Sequence, residues 1–120
     1  MSVDPRKALG DAGEELVARW YRDHGAVVLD RNWRTRGGEL DVVVADGSCV
    51  AFCEVKTRRG ARFGSPFDAV TPVKQQRLRR LALAWLRECD VRATALRFDV
   101  AAVTWPVDGE PSVEVVTGAF

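Results

Sequence analysis

Glu39-Leu40-Asp41-Val42-Val43-Val44-Ala45-Asp46-Gly47-Ser48-Cys49-Val50-Ala51-Phe52-Cys53-Glu54-Val55-Lys56 reads as two β-forming runs around one turn. Valine and phenylalanine fill the runs, and an Asp-Gly pair separates them. Asp-Gly is the strongest local hairpin signal, because a two-residue type I′ turn needs positive φ at both central positions. With Asp46-Gly47 as the loop, Ala45 stands opposite Ser48, Asp41 opposite Phe52 and Glu39 opposite Glu54. Side chains of a strand alternate between its faces. One face then carries Glu39, Asp41, Val43, Val50, Phe52, Glu54 and Lys56. The other carries Leu40, Val42, Val44, Cys49, Ala51, Cys53 and Val55.

The second face is wholly apolar and must be covered. The first turns charged at the end far from the turn. In this register Asp41 and Glu54 are diagonal neighbours, roughly 7–8 Å apart at the backbone. Two carboxylates in that relation can share a cation, and the opposed Glu39 and Glu54 are destabilising unless something neutralises them. Mg²⁺ suits the position, since it takes oxygen ligands and usually only one or two carboxylates, with water and phosphate completing the shell. Lys56, on the same face, can orient an attacking water or neutralise phosphate charge. The alternative is an exposed strand end whose acids pair with Lys56 and nearby arginines.

The flanks supply the rest of an α/β fold. Residues 7–24 carry one apolar stripe of Leu9, Ala12, Leu16, Val17, Trp20 and Tyr21, and Gly25 stops the helix. Gly13 within the stripe implies a close approach to the sheet. Glu14 lies about 100° round the helix from Gly13, where it either tucks toward the sheet end or stays solvated. His24, the only histidine, falls at the helix end, a common structural place for that residue. Residues 26–33 read as a first strand, and 57–70 as a long loop with Arg58, Arg59 and Arg62. Thr71-Pro72 is a capping hydroxyl followed by proline, so a second helix starts there and runs to about Glu88. Leu78, Leu81, Ala82 and Trp85 form its apolar stripe. Lys74, Arg77, Arg80 and Arg87 follow another face, either solvated or a phosphate tract. Residues 94–104 and 112–117 complete the strands, with Asp99 read as structural. The order is αβββαβ with a short extra C-terminal strand: a mixed sheet flanked by helices, the second helix returning the chain parallel to an earlier strand.

Composition narrows the class. A chain of 120 residues is the size of one domain, spanning 1–120. No apolar run is long enough to span a membrane, and the N-terminus lacks the apolar core of a signal peptide, so a cytoplasmic location is expected. Cys49, Cys53 and Cys89 have no metal-ligand spacing and read as small buried hydrophobes. The net charge is only +1, yet residues 56–80 hold eight bases and one acid, whereas 99–120 hold four acids and no base. Arginines outnumber lysines 15 to three, as expected where a planar fork grips phosphate. A local basic tract in a near-neutral chain points to a directed phosphate surface.

Taken together, several strings resemble one family. They are Gly13-Glu14, Arg31-Asn32, Gly38-Glu39-Leu40-Asp41, Phe52-Cys53-Glu54-Val55-Lys56-Thr57-Arg58, Phe63-Gly64, Pro66, Ala69-Val70, Lys74 with Arg77-Leu78, and Arg97-Phe98-Asp99-Val100. Nearly the whole chain resembles the YraN family of small bacterial proteins. The element order, with Asp on the second strand and E-x-K on the third, resembles the PD-(D/E)XK nuclease superfamily of restriction endonucleases and Holliday junction resolvases. Leu40 stands where the superfamily name has proline. The resemblance implies that Asp41 and Glu54 bind Mg²⁺ or Mn²⁺, that Lys56 serves the nucleophilic water, and that Glu14 adds the helical acid of the metal site. It also implies that Lys74 and Gln75 are helix-borne polar residues near the site. Arg58, Arg59, Arg62 and Arg77 would join them on a nucleic-acid surface. The expected activity is metal-dependent endonucleolytic hydrolysis of DNA rather than RNA, on branched or flapped substrates, by a homodimer. The alternative is a nucleic-acid-binding accessory module that keeps the scaffold without cutting.

Overall fold

The structure, a computed structural model, describes residues 4–60 and 70–120. The described elements are α1 (Pro5–Asp23), β1 (Val27–Thr35), β2 (Gly38–Asp46), β3 (Cys49–Arg59), α2 (Pro72–Glu88), β4 (Ala95–Trp105) and β5 (Ser112–Val116). Their order in the sheet follows the chain, β1-β2-β3-β4-β5. Neighbours are antiparallel except β3 and β4, which run parallel with α2 as the crossover between them. This is the expected mixed α/β arrangement.

Both helices begin on side-chain caps. Asp4 accepts from the Arg6 N–H at 2.9 Å, and Pro5 opens α1. The helix therefore starts two residues before the expected position 7, because the Asp-Pro pair is itself a start signal. Thr71 accepts from the Lys74 N–H at 3.3 Å, and Pro72 opens α2 as expected. His24 caps the C-terminus of α1, its Nδ1 2.7 Å from the Trp20 carbonyl oxygen and its ring stacked on Trp20.

Each sheet face is covered by one helix. On one side Val17 and Tyr21 of α1 pack on Val42, Val44, Ala51, Cys53, Ala101 and Val103. On the other, Leu78, Leu81, Ala82 and Trp85 of α2 pack on Val43, Val50, Phe52, Phe98 and Val100. The face expected to be wholly apolar is thus the α1 face. The face expected to turn charged is buried by α2 over its apolar half.

The hairpin register differs from the sequence expectation. Asp46 pairs with Cys49, Ala45 with Val50, Val43 with Phe52 and Val42 with Cys53. The two loop residues are therefore Gly47 and Ser48 rather than Asp46 and Gly47. Gly47 alone takes positive φ (+61°) while Ser48 does not, as in a type II′ turn with glycine at its first central position. The change moves every partner by two residues, so all side chains keep their faces. It also removes the expected diagonal relation of Asp41 to Glu54, because the ladder ends at Val42 and Cys53.

Alternation itself breaks at Asp41. Arg31 pairs with Val42 and Trp33 with Leu40, yet Asn32 and Asp41 between them are unpaired. Asn32 adopts φ +54°. Val42 belongs to the α1 core, but Leu40, two residues earlier, packs with Trp33 on the α2 side. The strand pair thus changes faces at this point, and Leu40 does not lie on the face that strict alternation gave it.

Two boundary expectations are also corrected. β3 continues through Thr57, Arg58 and Arg59, because β4 pairs with it as far as Arg59 and Trp105; these residues do not lie in a loop. Cys53 is buried and Cys49 half-buried, but Cys89 is exposed at the C-cap of α2. Arg62, Phe63-Gly64, Pro66 and Ala69 lie outside the described residues.

Candidate active site

The ladder between β2 and β3 ends at Val42 and Cys53. Beyond it β3 continues paired only to β4, and Asp41 fills the gap. Its carboxylate accepts from the Val55 backbone N–H at 2.8 Å, replacing a lost ladder bond. Asp41 is 7% exposed. Its carboxyl is pushed up from 3.8 to about 8, first by burial and then by the neighbouring Glu54 charge, with Glu14 adding to the rise and the Val55 N–H opposing it.

Glu54 and Lys56 point to the α2 side. Lys56 Nζ is 3.8 Å from Glu54 Oε1, and both side chains are largely shielded. Lys74, from the first turn of α2, stands beside Lys56, and the Lys56 charge lowers its pKa. The first turn of α2 contains no acid. A lysine there is opposed by the helix dipole, so two ammonium groups and a helix N-terminus concentrate positive potential beside Glu54. A cavity of about 290 Å³ is lined by Gly38, Glu39, Glu54, Lys74, Arg77, Leu78 and Leu81. Glu39 is drawn toward β1 by Arg34, 2.9 Å away, and so does not oppose Glu54.

Glu14 approaches from the α1 side. The expected close contact at Gly13 is present, since a Cβ built there would lie 1.9 Å from Thr57 Oγ1. Seating α1 against β3 in this way buries Glu14 to 8% exposure. Burial raises its pKa, with the Asp11 and Glu39 charges adding to the rise and neighbouring Asn32 opposing it. Glu14 Oε1 and Thr57 Oγ1 are buried without a hydrogen-bond partner. A second cleft of about 450 Å³ runs between α1 and β3, with Arg6, Glu14, Lys56, Thr57, Arg58 and Arg59 in its wall.

Asp41, Glu54, Lys56 and Glu14 are therefore brought to one end of the sheet, with Lys74, Arg77, Arg58 and Arg59 around them. The side-chain amide of Gln75 donates to the Val70 carbonyl at 3.1 Å. Among the described residues, no three carboxylate, imidazole or thiol groups close around a single point. Two carboxylates, Asp41 and Glu54, with the unpartnered Glu14 oxygen as a third candidate, are the donors a divalent cation such as Mg²⁺ would draw on. Asp99, read as structural, is fully buried and accepts from Tyr21 Oη (2.6 Å), Arg97 Nε (2.9 Å) and the Gly118 N–H (2.9 Å), so it is committed to the fold. Asn32 takes a left-handed backbone, φ +54°. Its left-handed backbone is a tertiary feature that no local pattern announces.

A family model described as "Uncharacterised protein family UPF0102" matches residues 13–103. A UPF0102 protein of Acidothermus cellulolyticus is 48% identical over 129 aligned positions, covering 99% of this chain and 98% of its own. One from Frankia alni is 49% identical with both chains fully covered. Another, from Frankia casuarinae, is 50% identical over 96% of this chain and 98% of its own.

Proposed function

The chain belongs to the UPF0102 (YraN) family, and from that premise we propose that it is a Mg²⁺- or Mn²⁺-dependent endonuclease of the PD-(D/E)XK type acting on DNA. The observation that carries this reading is the Asp41 carboxylate. It is buried at the break in the β2–β3 ladder, its charge opposed by Glu54 and Glu14, with the ammonium of Lys56 close by. A folded chain keeps such an arrangement at a cost in stability, which is expected of a site rather than a core.

Asp41 and Glu54 would hold the cation, with Glu14 at the rim. A divalent ion bound there supplies Lewis acidity toward a phosphoryl oxygen and lowers the pKa of a coordinated water. The side chains do the rest. The Val55 N–H fixes the Asp41 carboxylate in one orientation. Glu54 holds the Lys56 ammonium over the same space, where it can orient the attacking water. Lys74 and Arg77 on one side, and Arg6, Arg58 and Arg59 on the other, line the two clefts and can grip the phosphates flanking the scissile bond. Contacts of this kind fix register on the backbone and read little sequence. A homodimer carrying two such sites is the assembly this reading expects for branched DNA, measurable by light scattering.

The test is cleavage of linear, nicked, flapped and four-way DNA in Mg²⁺, Mn²⁺ or EDTA by the wild type and Asp41→Asn. Metal-dependent cutting by the wild type alone supports the enzyme. Binding of DNA by both proteins without cutting on any substrate would leave an accessory binding module instead.

A further inference from the structure

We infer that the cleft between α1 and β3 holds one unpaired nucleotide of a DNA strand, beside the point where that strand is cut. The inference rests on the nuclease reading for the cutting, but not for what the cleft holds.

Three observations converge on this cleft. First, its volume is about 450 Å³, within the roughly 300–1,000 Å³ of small-molecule sites. Second, its wall is chemically mixed. Arg6, Lys56, Arg58 and Arg59 supply cations, which suit a phosphate. Leu9 and Gly10 of α1 supply an apolar surface. A Cβ built at Gly10 would meet nothing within 4 Å, so the helix leaves open space there. Third, Glu14 and Thr57 bring unsatisfied polar atoms to the same wall. Glu14 is 8% exposed, and among the described residues neither its Oε1 nor Thr57 Oγ1 has a hydrogen-bond partner. Buried polar atoms left in that state are costly, and each calls for a partner.

Phosphate alone does not answer this lining. A phosphodiester offers acceptor oxygens, and an ionised carboxylate is also only an acceptor, so phosphate leaves Glu14 Oε1 unsatisfied. A nucleotide brings all the complements together. Its phosphate meets the arginines, its base face meets the α1 wall, and the N–H donors of its base edge meet Glu14. A paired base spends those donors on its partner, and a convex duplex cannot seat a base in a cleft. An unpaired base escapes both constraints. Bases splayed from a strand are read in this way, on their pairing edges and against side-chain surfaces. Lys56 ties the cleft to the proposed cation site, since its Nζ is 3.8 Å from Glu54 Oε1. The pocketed nucleotide therefore lies next to the scissile phosphate, and the substrate class is DNA with an unpaired segment at the cut.

Filling the cleft tests this. Gly10→Leu adds a side chain in the open space and replaces a helix-interior glycine with a better helix former, so the full-length variant should melt no lower than wild type. Gly10→Ala is the control that leaves the cleft open. Binding is read in EDTA by fluorescence anisotropy. The probes are a short labelled oligonucleotide, single-stranded or annealed to its complement, and dGMP as competitor. Gly10→Leu should bind the single strand about 10–100-fold more weakly, as expected for the loss of a hydrogen bond to a charged group, and bind the duplex as wild type does. Gly10→Ala should match wild type on both, and dGMP should compete only at concentrations far above those of the strand. Unchanged single-strand affinity in Gly10→Leu, an equal loss on the duplex, or the same loss in Gly10→Ala would overturn the inference. So would dGMP binding as tightly as the strand, which would make this a pocket for a free nucleotide. Cleavage in Mn²⁺ keeps the two proposals apart. Loss of single-strand binding in Gly10→Leu, in a protein that cuts nothing, keeps the pocket and removes the nuclease. Equal kcat/KM on flapped DNA for wild type and Gly10→Leu, with cutting lost in Asp41→Asn, keeps the nuclease and removes the pocket.

Discussion

Replacing Asp41 by Asn should make the metal-free protein more stable while abolishing its activity. The substitution keeps the side chain's size and leaves a carbonyl oxygen to accept the Val55 N–H, now 2.8 Å from Asp41. Only the capacity to ionise is lost. Burial and the Glu54 charge push the folded-state pKa from 3.8 to about 8, so the folded chain holds this proton more tightly than the unfolded one. Stability therefore declines as pH rises from about 4, and the loss is complete above about 8. One pKa unit is about 1.36 kcal/mol, so the ceiling on the cost at pH 7 is roughly 4 kcal/mol. Relaxation and water entry reduce such penalties, and a gain on the order of 2 kcal/mol is the working expectation. For a chain of this size that raises the melting temperature by several degrees. The assay is calorimetry in EDTA at pH 4 to 8, with and without added Mn²⁺. Asp41→Asn should melt higher than wild type at pH 7–8 and level with it near pH 4. Added Mn²⁺ should raise the wild type alone, since a cation that binds only the folded state stabilises it. An Asn variant no more stable than wild type at pH 8, or equally favoured at pH 4, would refute a carboxyl whose pKa folding raises.

Further outcomes follow from the same geometry. Gly13→Ala should lower stability by roughly 1–3 kcal/mol in urea unfolding, despite alanine's better helix propensity, because its Cβ would sit 1.9 Å from Thr57 Oγ1; adding Thr57→Ala should recover part of the loss, and no recovery would mean that the clash lies elsewhere. Tyr21→Phe removes a 2.6 Å hydrogen bond to the buried Asp99 and should cost about 1.5–3 kcal/mol, read by the same unfolding curves, with KM for DNA unaltered. Lys56→Ala should lower kcat far more than DNA affinity, whereas equal losses would make Lys56 a phosphate contact only. Arg58→Ala with Arg59→Ala should flatten the salt dependence of DNA binding by about one to two phosphate contacts; an unchanged slope would take the end of β3 off the DNA surface.

Element order was legible because the signals were local. Thr71-Pro72 fixed the start of α2, and the stripe Leu78, Leu81, Ala82 and Trp85 gave its buried face. The alternation of Val42 through Val44 against Val50 through Cys53 gave the hairpin. The turn was misplaced by one residue because Asp46-Gly47 satisfies type I′ preferences, while Gly47-Ser48 satisfies type II′ equally well, and local chemistry does not choose between them. The faces survived the error since partners moved by two. The arginines of β3 look like loop residues in sequence because their β4 partners, Thr104 and Trp105, lie 46 residues downstream, beyond any local window.

The break at Asp41 and Asn32 had no such signal, and it decides the site. Three locally unfavourable choices meet at this end of the sheet: an aspartate buried against another acid, an asparagine with left-handed backbone, and a lysine in the first turn of a helix. The buried Asp99, by contrast, is satisfied by Tyr21, Arg97 and Gly118. A sequence free to minimise its energy would remove each of the three. Their coincidence within one small volume is explained when they answer to the same ligand: a cation for the acids and a phosphate for the lysines. Divalent-ion uptake that relieves the stability cost of Asp41 is the common consequence, and it sets this end of the sheet apart from the buried Asp99 network.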